Sequence, residues 1–263
     1  MKKGLLLYLF LVVSLMLQGN VYFKHIGKTD GLPQISVMSI CQDELGRMWF
    51  GTLEGLGCYD GNSMTVYKPS PEPTRNFLGN EIHNLVSDKQ GSIFFTSDNV
   101  LFHYDLHKEQ FSPLQRKVNC LHVQGHTVWA ATQDSVFKWN PVKEQFSFVY
   151  RLKPNQYITS LYSDTNDCLW LGTSSGLYRI DNLINPTPVC VIAEVNVHSL
   201  YRDTKGRMWI AAFRSGRSRA LLPSSPLRTV REGFPSYGSS FSKSLFVCRD
   251  RLILLLVSIV FTG

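Results

Sequence analysis

Seven histidines, six cysteines and a modest set of carboxylates carry the reactive chemistry of this 263-residue chain. Their spacing limits what they can do. His103 and His107, like His122 and His126, stand four apart, the separation that lets two imidazoles share a zinc ion from one face of a helix. The flanking residues read as strands and turns, where that separation does not bring the rings together, so no metal site is expected. No Ser or Cys lies in a Gly-x-Ser-x-Gly context and no phosphate-binding glycine loop is present. Neither a catalytic residue nor a cofactor is therefore expected. Cys41, Cys58, Cys120, Cys168, Cys190 and Cys248 include no Cys-x-x-Cys pair. Cys41, Cys120 and Cys168 sit in or beside apolar runs, where a free thiol behaves as a small hydrophobe, although the even count is also compatible with bridges in an oxidising compartment.

What the sequence does carry is a repeat. A turn residue, two intervening positions, an aromatic and then small residues recur at 46–52, 91–97, 126–132, 167–173 and 206–212, a period of about forty residues that marks stacked supersecondary units. The aromatics are Trp49, Phe94, Trp129, Trp170 and Trp209. Before each phrase runs an alternating apolar segment, at 35–40, 82–86, 118–123, 158–162 and 197–201, which predicts a half-buried strand. Between the two lies a turn. Asp43 and Gly46, Asp88 and Gly91, and Asp203 and Gly206 suit a hairpin in which Asp accepts backbone N–H bonds and Gly takes positive φ; residues 164–167 fill the same place with Asp at each end. A third strand follows near 57–60, 100–105, 136–140 and 176–181, and a short aromatic fourth at 64–67, 110–113 and 145–150.

Four short antiparallel strands per unit without helical periodicity predict an all-β fold, a β-propeller with one blade per unit. The expected blades are about 35–68, 82–114, 118–150 and 158–190, with part of a fifth at 197–213, so the ring is expected to be incomplete. Residues 22–26 resemble an isolated fourth strand of the kind that closes propellers. An array ending in half a blade leaves a sheet edge and an apolar face open, which predicts marginal stability or association.

The termini differ from the repeats. Residues 1–20 place Lys2 and Lys3 before an apolar run, the pattern of a secretory signal peptide and its helix, with an uncleaved anchor as the alternative. Export, to the periplasm or beyond, is the consequence. Of the net charge of +7, residues 21–213 contribute −1, so the pI of 9.1 belongs to the ends and predicts no nucleic-acid partner. Residues 214–263 abandon the repeat for a basic, serine-rich tail expected to be irregular. It reads either as a stretch out of frame with a longer array or as a membrane-associating tail.

Taken in order, Ile-x-x-Leu/Ile, Asp-x-x-Gly, Leu/Met-Trp-Ile/Phe-Gly-Thr and Gly-Leu-Tyr-Arg-Ile-Asp resemble the two-component regulator propeller repeat. The match is best at 158–181, good at 35–60 and 197–212, and degraded at 82–105 and 118–140. Asp30-Gly31-Leu32-Pro33 is similar to the opening of that family's first repeat. Sialidase-type blades separate Asp and Gly by one residue rather than two, and the Ala-x-Asp-rich phrase of quinone-dependent dehydrogenase propellers is missing.

The resemblance implies the extracytoplasmic sensor half of a hybrid two-component system, in which propellers and a β-sandwich sense breakdown products of complex carbohydrates ahead of a membrane helix and a histidine kinase. These residues show no phospho-acceptor helix, nucleotide-binding glycine boxes or receiver acidic cluster, so kinase activity is not expected of this chain. Expected partners are an oligosaccharide and further propeller blades or a downstream sensor domain, with membrane contact only through an uncleaved N-terminal segment. Propeller ligands are usually held by loops at one mouth of the ring, here 53–55, 97–99, 133–135 and 174–176 with the inter-blade loops 69–80 and 185–196. Asp98, Asn99, Gln133 and Asp134 are the candidates for hydrogen bonds to sugar hydroxyls, against ordinary turn chemistry at the same positions. A stand-alone protein-interaction propeller and a propeller hydrolase or lyase are the competing readings.

Overall fold

A computed structural model of the chain describes residues 24–70, 77–164, 168–203, 206–213, 227–229, 246–248 and 251–253. Residues 1–20, expected to be a signal peptide, and most of the tail lie outside the described residues. β1 (Val37–Gln42), β2 (Met48–Thr52), β3 (Gly55–Tyr59) and β4 (Met64–Tyr67) pair antiparallel in chain order as blade 1. Blade 2 repeats the meander with β5 (Ile82–Ser87), β6 (Ser92–Ser97), β7 (Val100–Asp105) and β8 (Gln110–Lys117). Blade 3 is β9 (Cys120–Gln124), β10 (Thr127–Ala131), β11 (Ser135–Asn140) and β12 (Gln145–Arg151). Blade 4 is β13 (Ile158–Ser163), β14 (Leu169–Thr173), β15 (Gly176–Ile180) and β16 (Val189–Ala193).

The fifth sheet joins β17 (Asn196–Arg202) antiparallel to β18 (Met208–Phe213). Its third place is taken by β19 (Leu227–Thr229), which runs parallel to β18 rather than antiparallel. The tail, expected to be irregular, also contains the short antiparallel pair β20 (Phe246–Cys248) and β21 (Arg251–Ile253). First strands lie side by side, β1 against β5, β5 against β9, β9 against β13 and β13 against β17. The sheets therefore fan out from their first strands, the propeller arrangement.

Each first strand in blades 1, 2, 4 and 5 breaks register at one place, between Val37 and Ser39, Ile82 and Asn84, Ile158 and Ser160, and Val197 and Ser199. The extra residues are Met38, His83, Thr159 and His198, and such a bulge sharpens local twist and re-aims a side chain. His83 and His198 thus occupy equivalent places in their first strands, shared with Met38 and Thr159. Blade 3 begins later than its alternation predicts, at Cys120. Val118 stays outside the strand, fully buried, with its N–H on the Asn99 carbonyl at 3.0 Å.

Apolar side chains fill the spaces between successive blades. Trp49 and Leu56 of blade 1 pack with Ile82, Phe95, Tyr104 and Phe111 of blade 2. Phe94 and Leu101 pack with Val128, Phe137 and Trp139 of blade 3, and Trp129 and Val136 with Ile158, Leu161 and Leu171 of blade 4. Trp170 and Leu177 face Val197 and Ile210 of the fifth sheet. Complete burial of Trp49 removes roughly 150–250 Å² from water, worth about 4–6 kcal/mol before entropy is subtracted. The small residues of the phrase make room for the next blade: a Cβ on Gly51 would come 2.7 Å from Ile82 Cγ2, and one on Gly172 would come 2.7 Å from Val197 Cγ1.

At the other end of the array, Ile26 and Leu32 cover Phe50, Tyr59 and Met64 of blade 1. The described part of the 22–26 segment is not a strand. Lys24 Nζ donates to the Tyr59 hydroxyl and lies 4.8 Å from its ring centroid, so this stretch lids the first sheet.

The Asp turns tie the wedges in place. Asp43 is buried; its Oδ1 accepts the Leu45 and Arg47 N–H groups at 3.0 and 2.9 Å, and its Oδ2 accepts Arg47 Nε and Trp49 Nε1 at 2.7 and 2.9 Å. Asp203 repeats this with Arg207 Nε and Trp209 Nε1 at 2.5 and 3.0 Å, and these donors hold its carboxyl down at about 2 against the opposing effect of desolvation. Asp88 accepts only backbone N–H groups, from Gln90 and Ser92, because its wedge is Phe94. Blade 3 has no Asp turn, and in blade 4 Asp164 bonds Cys168 N and Arg202 Nη1, so Trp129 Nε1 and Trp170 Nε1 are buried without a partner. Gly46, Gly91 and Gly206 take φ of 83°, 96° and 76°, as the turns require.

The same hairpin rim links blade to blade. Lys89 Nζ donates to the Asp43 carbonyl at 3.1 Å, His126 Nδ1 to the Asp88 carbonyl at 2.8 Å and His122 Nε2 to the Ser163 carbonyl at 3.3 Å. Three of the four histidines singled out by spacing are thus structural donors or ring partners: besides His126, His103 stacks on Phe94 at 4.9 Å, and His122 meets Tyr162 at 4.8 Å. Among the described residues Cys41, Cys58, Cys120, Cys168 and Cys190 are free thiols. Burial pushes Cys58 up to about 11 and Cys120 and Cys168 up to about 12.

Two stability outcomes are expected from this packing. Trp49→Phe should cost about 1–2 kcal/mol more than Trp129→Phe in urea unfolding, because only Trp49 gives its N–H to a buried carboxylate. Equal losses would show that the bond contributes nothing. Burial also holds His122 down to about 4, below the ~6.5 of an unfolded imidazole, so between those values the unfolded chain binds the extra proton. Stability should fall as pH drops from ~6.5 to ~4, with His103 adding in the same direction. Unfolding curves across that window should show a shallower slope for His122→Phe than for the parent chain.

Candidate functional site

The turns from second to third strand and the connections from one blade to the next share one face, opposite the Asp hairpins. Threonine at the end of the second strand builds these turns. Thr52 Oγ1 donates to the Gly55 carbonyl and accepts the Glu54 N–H, and Thr173 does the same with Gly176 and Ser175. In blade 3 Thr132 Oγ1 donates to the Ser135 carbonyl at 3.3 Å and accepts its N–H at 3.1 Å. The sequence shows this threonine within the repeated phrase, yet its role as a turn clamp emerges only from the geometry.

Backbone bonds then stitch each turn to its surroundings. Asp98 N–H bonds the Glu81 carbonyl at 3.3 Å, and Ser174 N–H bonds the Tyr157 carbonyl at 2.9 Å, both immediately ahead of a first strand. Asn99, Asp134 and Ser175 carbonyls accept the Val118, Leu152 and Glu194 N–H groups at 3.0, 2.7 and 2.9 Å, just beyond a fourth strand. The rim is therefore a fixed frame, because nearly every turn is held by the chain entering or leaving its blade.

Within that frame the four candidates fall into two neighbourhoods. Asp98 and Asn99 occupy left-handed conformations, φ 48° and 66°, with both residues exposed. Paired positive φ values suit a tight two-residue hairpin turn. Close by stand Gly79 and Glu81 from the inter-blade connection, and His83 at the bulge, whose Nε2 lies 3.0 Å from Glu81 Oε2. Ser97 Oγ is buried there without a partner.

The second neighbourhood surrounds the blade 3 turn. Gln133 is exposed and its carbonyl accepts the Ile158 N–H at 2.8 Å. Asp134 accepts the Ser135 hydroxyl at 2.8 Å and pairs with Arg151 Nε at 3.3 Å. The structure brings Gln133 and Asp134 together in one turn and Asp98 and Asn99 in another. It also adds two residues that spacing did not single out, Arg151 and Tyr157. No group of three or more His, Cys, Asp or Glu side chains placed to hold a metal occurs among the described residues. The face offers hydrogen-bond donors, acceptors and one exposed aromatic, which suits binding of a polar ligand.

Comparison with known proteins gives this arrangement its relatives. The two-component regulator propeller family matches at residues 31–54, 152–175 and 192–214, covering the first two strands of blades 1, 4 and 5. A 70-residue stretch is 41% identical to Histidine kinase P4 of Formosa agariphila, covering 26% of this chain and 5% of that protein. The fold is similar to the extracellular domain of a one-component system from B. thetaiotaomicron, with TM-score 0.54 and 21% identity, over 73% of this chain and 27% of that one. It is also similar to virginiamycin B lyase from Staphylococcus aureus, with TM-score 0.55 and 13% identity, over 74% of this chain and 68% of that one. The chain thus spans a small part of the length of its signalling relatives. The matched stretches are those that keep both Trp and an acidic turn, and in them this all-β chain is similar to the two-component regulator propeller family.

Proposed function

We propose that this chain is an exported, non-enzymatic sensing module of a two-component signalling system, and that its turn-and-connection face recognises carbohydrate breakdown products. The observation that carries the reading is the backbone-stitched rim, which holds exposed polar side chains on a rigid propeller built from two-component regulator repeats. Asp98, Asn99, Gln133 and Asp134 supply hydrogen bonds to ligand hydroxyls. A fixed rim suits this role because little conformational entropy is lost when ligand binds. Further blades or a downstream sensor domain are the proposed partners at the last sheet, where Trp209 keeps its wedge place with no complete blade beyond it among the described residues.

The test is a screen of the purified chain against enzymatic digests of plant, algal and host polysaccharides, read by ligand-observed NMR. Binding of at least one oligosaccharide is expected, with affinity reduced about tenfold in an Asp98→Ala, Gln133→Ala double variant. Saccharide turnover would replace the sensing reading with an enzymatic one. Failure to bind any digest, together with stable complex formation with a protein partner, would favour the interaction-module reading.

A further inference from the structure

The connection from blade 3 to blade 4 differs from the connections on either side of it. Blades 2 and 3 are joined through Val118 and Asn119, and blade 4 leads to the fifth sheet through Glu194 and Val195. Between blades 3 and 4 the chain instead makes a six-residue excursion, 152–157, and both of its ends are pinned to one turn. Leu152, buried, gives its N–H to the Asp134 carbonyl, and Ile158, which follows the excursion, gives its N–H to the Gln133 carbonyl.

The excursion is also clamped to the next blade. Tyr157 N–H donates to Ser174 Oγ at 3.2 Å while its carbonyl accepts the Ser174 N–H at 2.9 Å, and Gln156 Nε2 donates to the Tyr178 hydroxyl at 2.8 Å. Despite this backbone anchorage the Tyr157 side chain remains outside the core, with the residue 49% exposed. Lys153, Pro154 and Asn155 are exposed beside it, Asn155 at φ 67°. Arg151, at the end of β12, directs Nε to Asp134 Oδ2 at 3.3 Å and to Ser135 Oγ at 3.1 Å and leaves its side chain 68% exposed.

A rigidly mounted aromatic, an exposed amide at Gln133 and a guanidinium, all tied to the blade 3 turn, form a recognisable set. The aromatic face suits the C–H face of a sugar ring, the amide a hydroxyl, and the planar guanidinium a carboxylate. We propose that the 151–157 segment is the specificity element of the sensing face, with Tyr157 stacking on a sugar ring while Arg151 binds the carboxylate of an acidic saccharide. This rests on the carbohydrate-sensing reading of the same face.

The experiment titrates the purified chain with tri- to pentasaccharides of galacturonate, glucuronate and mannuronate and with neutral oligosaccharides of matched length, by saturation-transfer NMR and calorimetry. An oligouronate should bind more tightly than its neutral counterpart. Tyr157→Ala should weaken that binding about tenfold, Tyr157→Phe should retain it, and Arg151→Gln should erase the preference for the acidic series. Both positions are solvent-exposed, and urea unfolding of each variant checks that the fold is intact. Unchanged oligouronate binding in Tyr157→Ala and Arg151→Gln overturns the site while leaving carbohydrate sensing in place. Preference for the neutral series overturns the acidic class. Absence of binding to every saccharide overturns the site and the sensing reading together.

Discussion

Burial of one aromatic wedge per blade against the following sheet is the interaction on which this molecule depends. A four-stranded meander of thirty-odd residues has two faces and too little apolar area to be stable alone, so it persists only if each face meets a neighbour. Trp49, Phe94, Trp129 and Trp170 fill that gap from equivalent places, and Ile82, Ile158 and Val197 enter it from the first strand of the following blade. The phrase that recurs in the sequence is the linear trace of this contact. Its aromatic supplies area, its glycine lets the next backbone approach, and its threonine closes the turn that leads away.

The wedges share more than shape. A cation lies near each indole, Arg47 at 5.7 Å from Trp49, Lys138 at 5.3 Å from Trp129, Arg179 at 5.6 Å from Trp170 and Arg207 at 5.4 Å from Trp209. Two of these come from the Asp turn and two from the third strand, directly opposite the ring in register. Where the turn arginine is absent, a basic residue on the third strand takes its place. In blade 2, whose wedge is Phe94, the opposite residue is His103, stacked on the ring. The repeats have diverged in sequence while keeping a polar or cationic cover on the ring.

Much of this architecture was legible in the sequence because it is periodic. The Trp phrase, the alternating strand before it and the Asp-x-x-Gly turn return at regular intervals, and they place strands to within a few residues. Departures came where local and tertiary demands differ: Val118 belongs to an alternating run yet leaves the strand to bury itself against the preceding blade, and the described part of the 22–26 segment covers blade 1 instead of pairing as a strand. The candidate ligand face was legible as a set of turns but not as a set of partners. Asp98, Asn99, Gln133 and Asp134 are visible as turn residues, whereas Tyr157 stands just ahead of the recurring strand and turn phrases and only its position beside Ser174 gives it meaning. A side chain that varies from one copy to the next leaves no period to find.

The free thiols carry a consequence for biogenesis. In the folded chain Cys58, Cys120 and Cys168 remain protonated at ordinary pH, since burial disfavours the thiolate, while Cys190 on β16 stays exposed. Outside the reducing cytosol such a polypeptide is in a race, because an extended chain offers all its sulfurs to oxidants and a collapsed one shields most of them. Stacking of the sheets would thus double as chemical protection there, and any delay would leave these thiols open to disulfide formation.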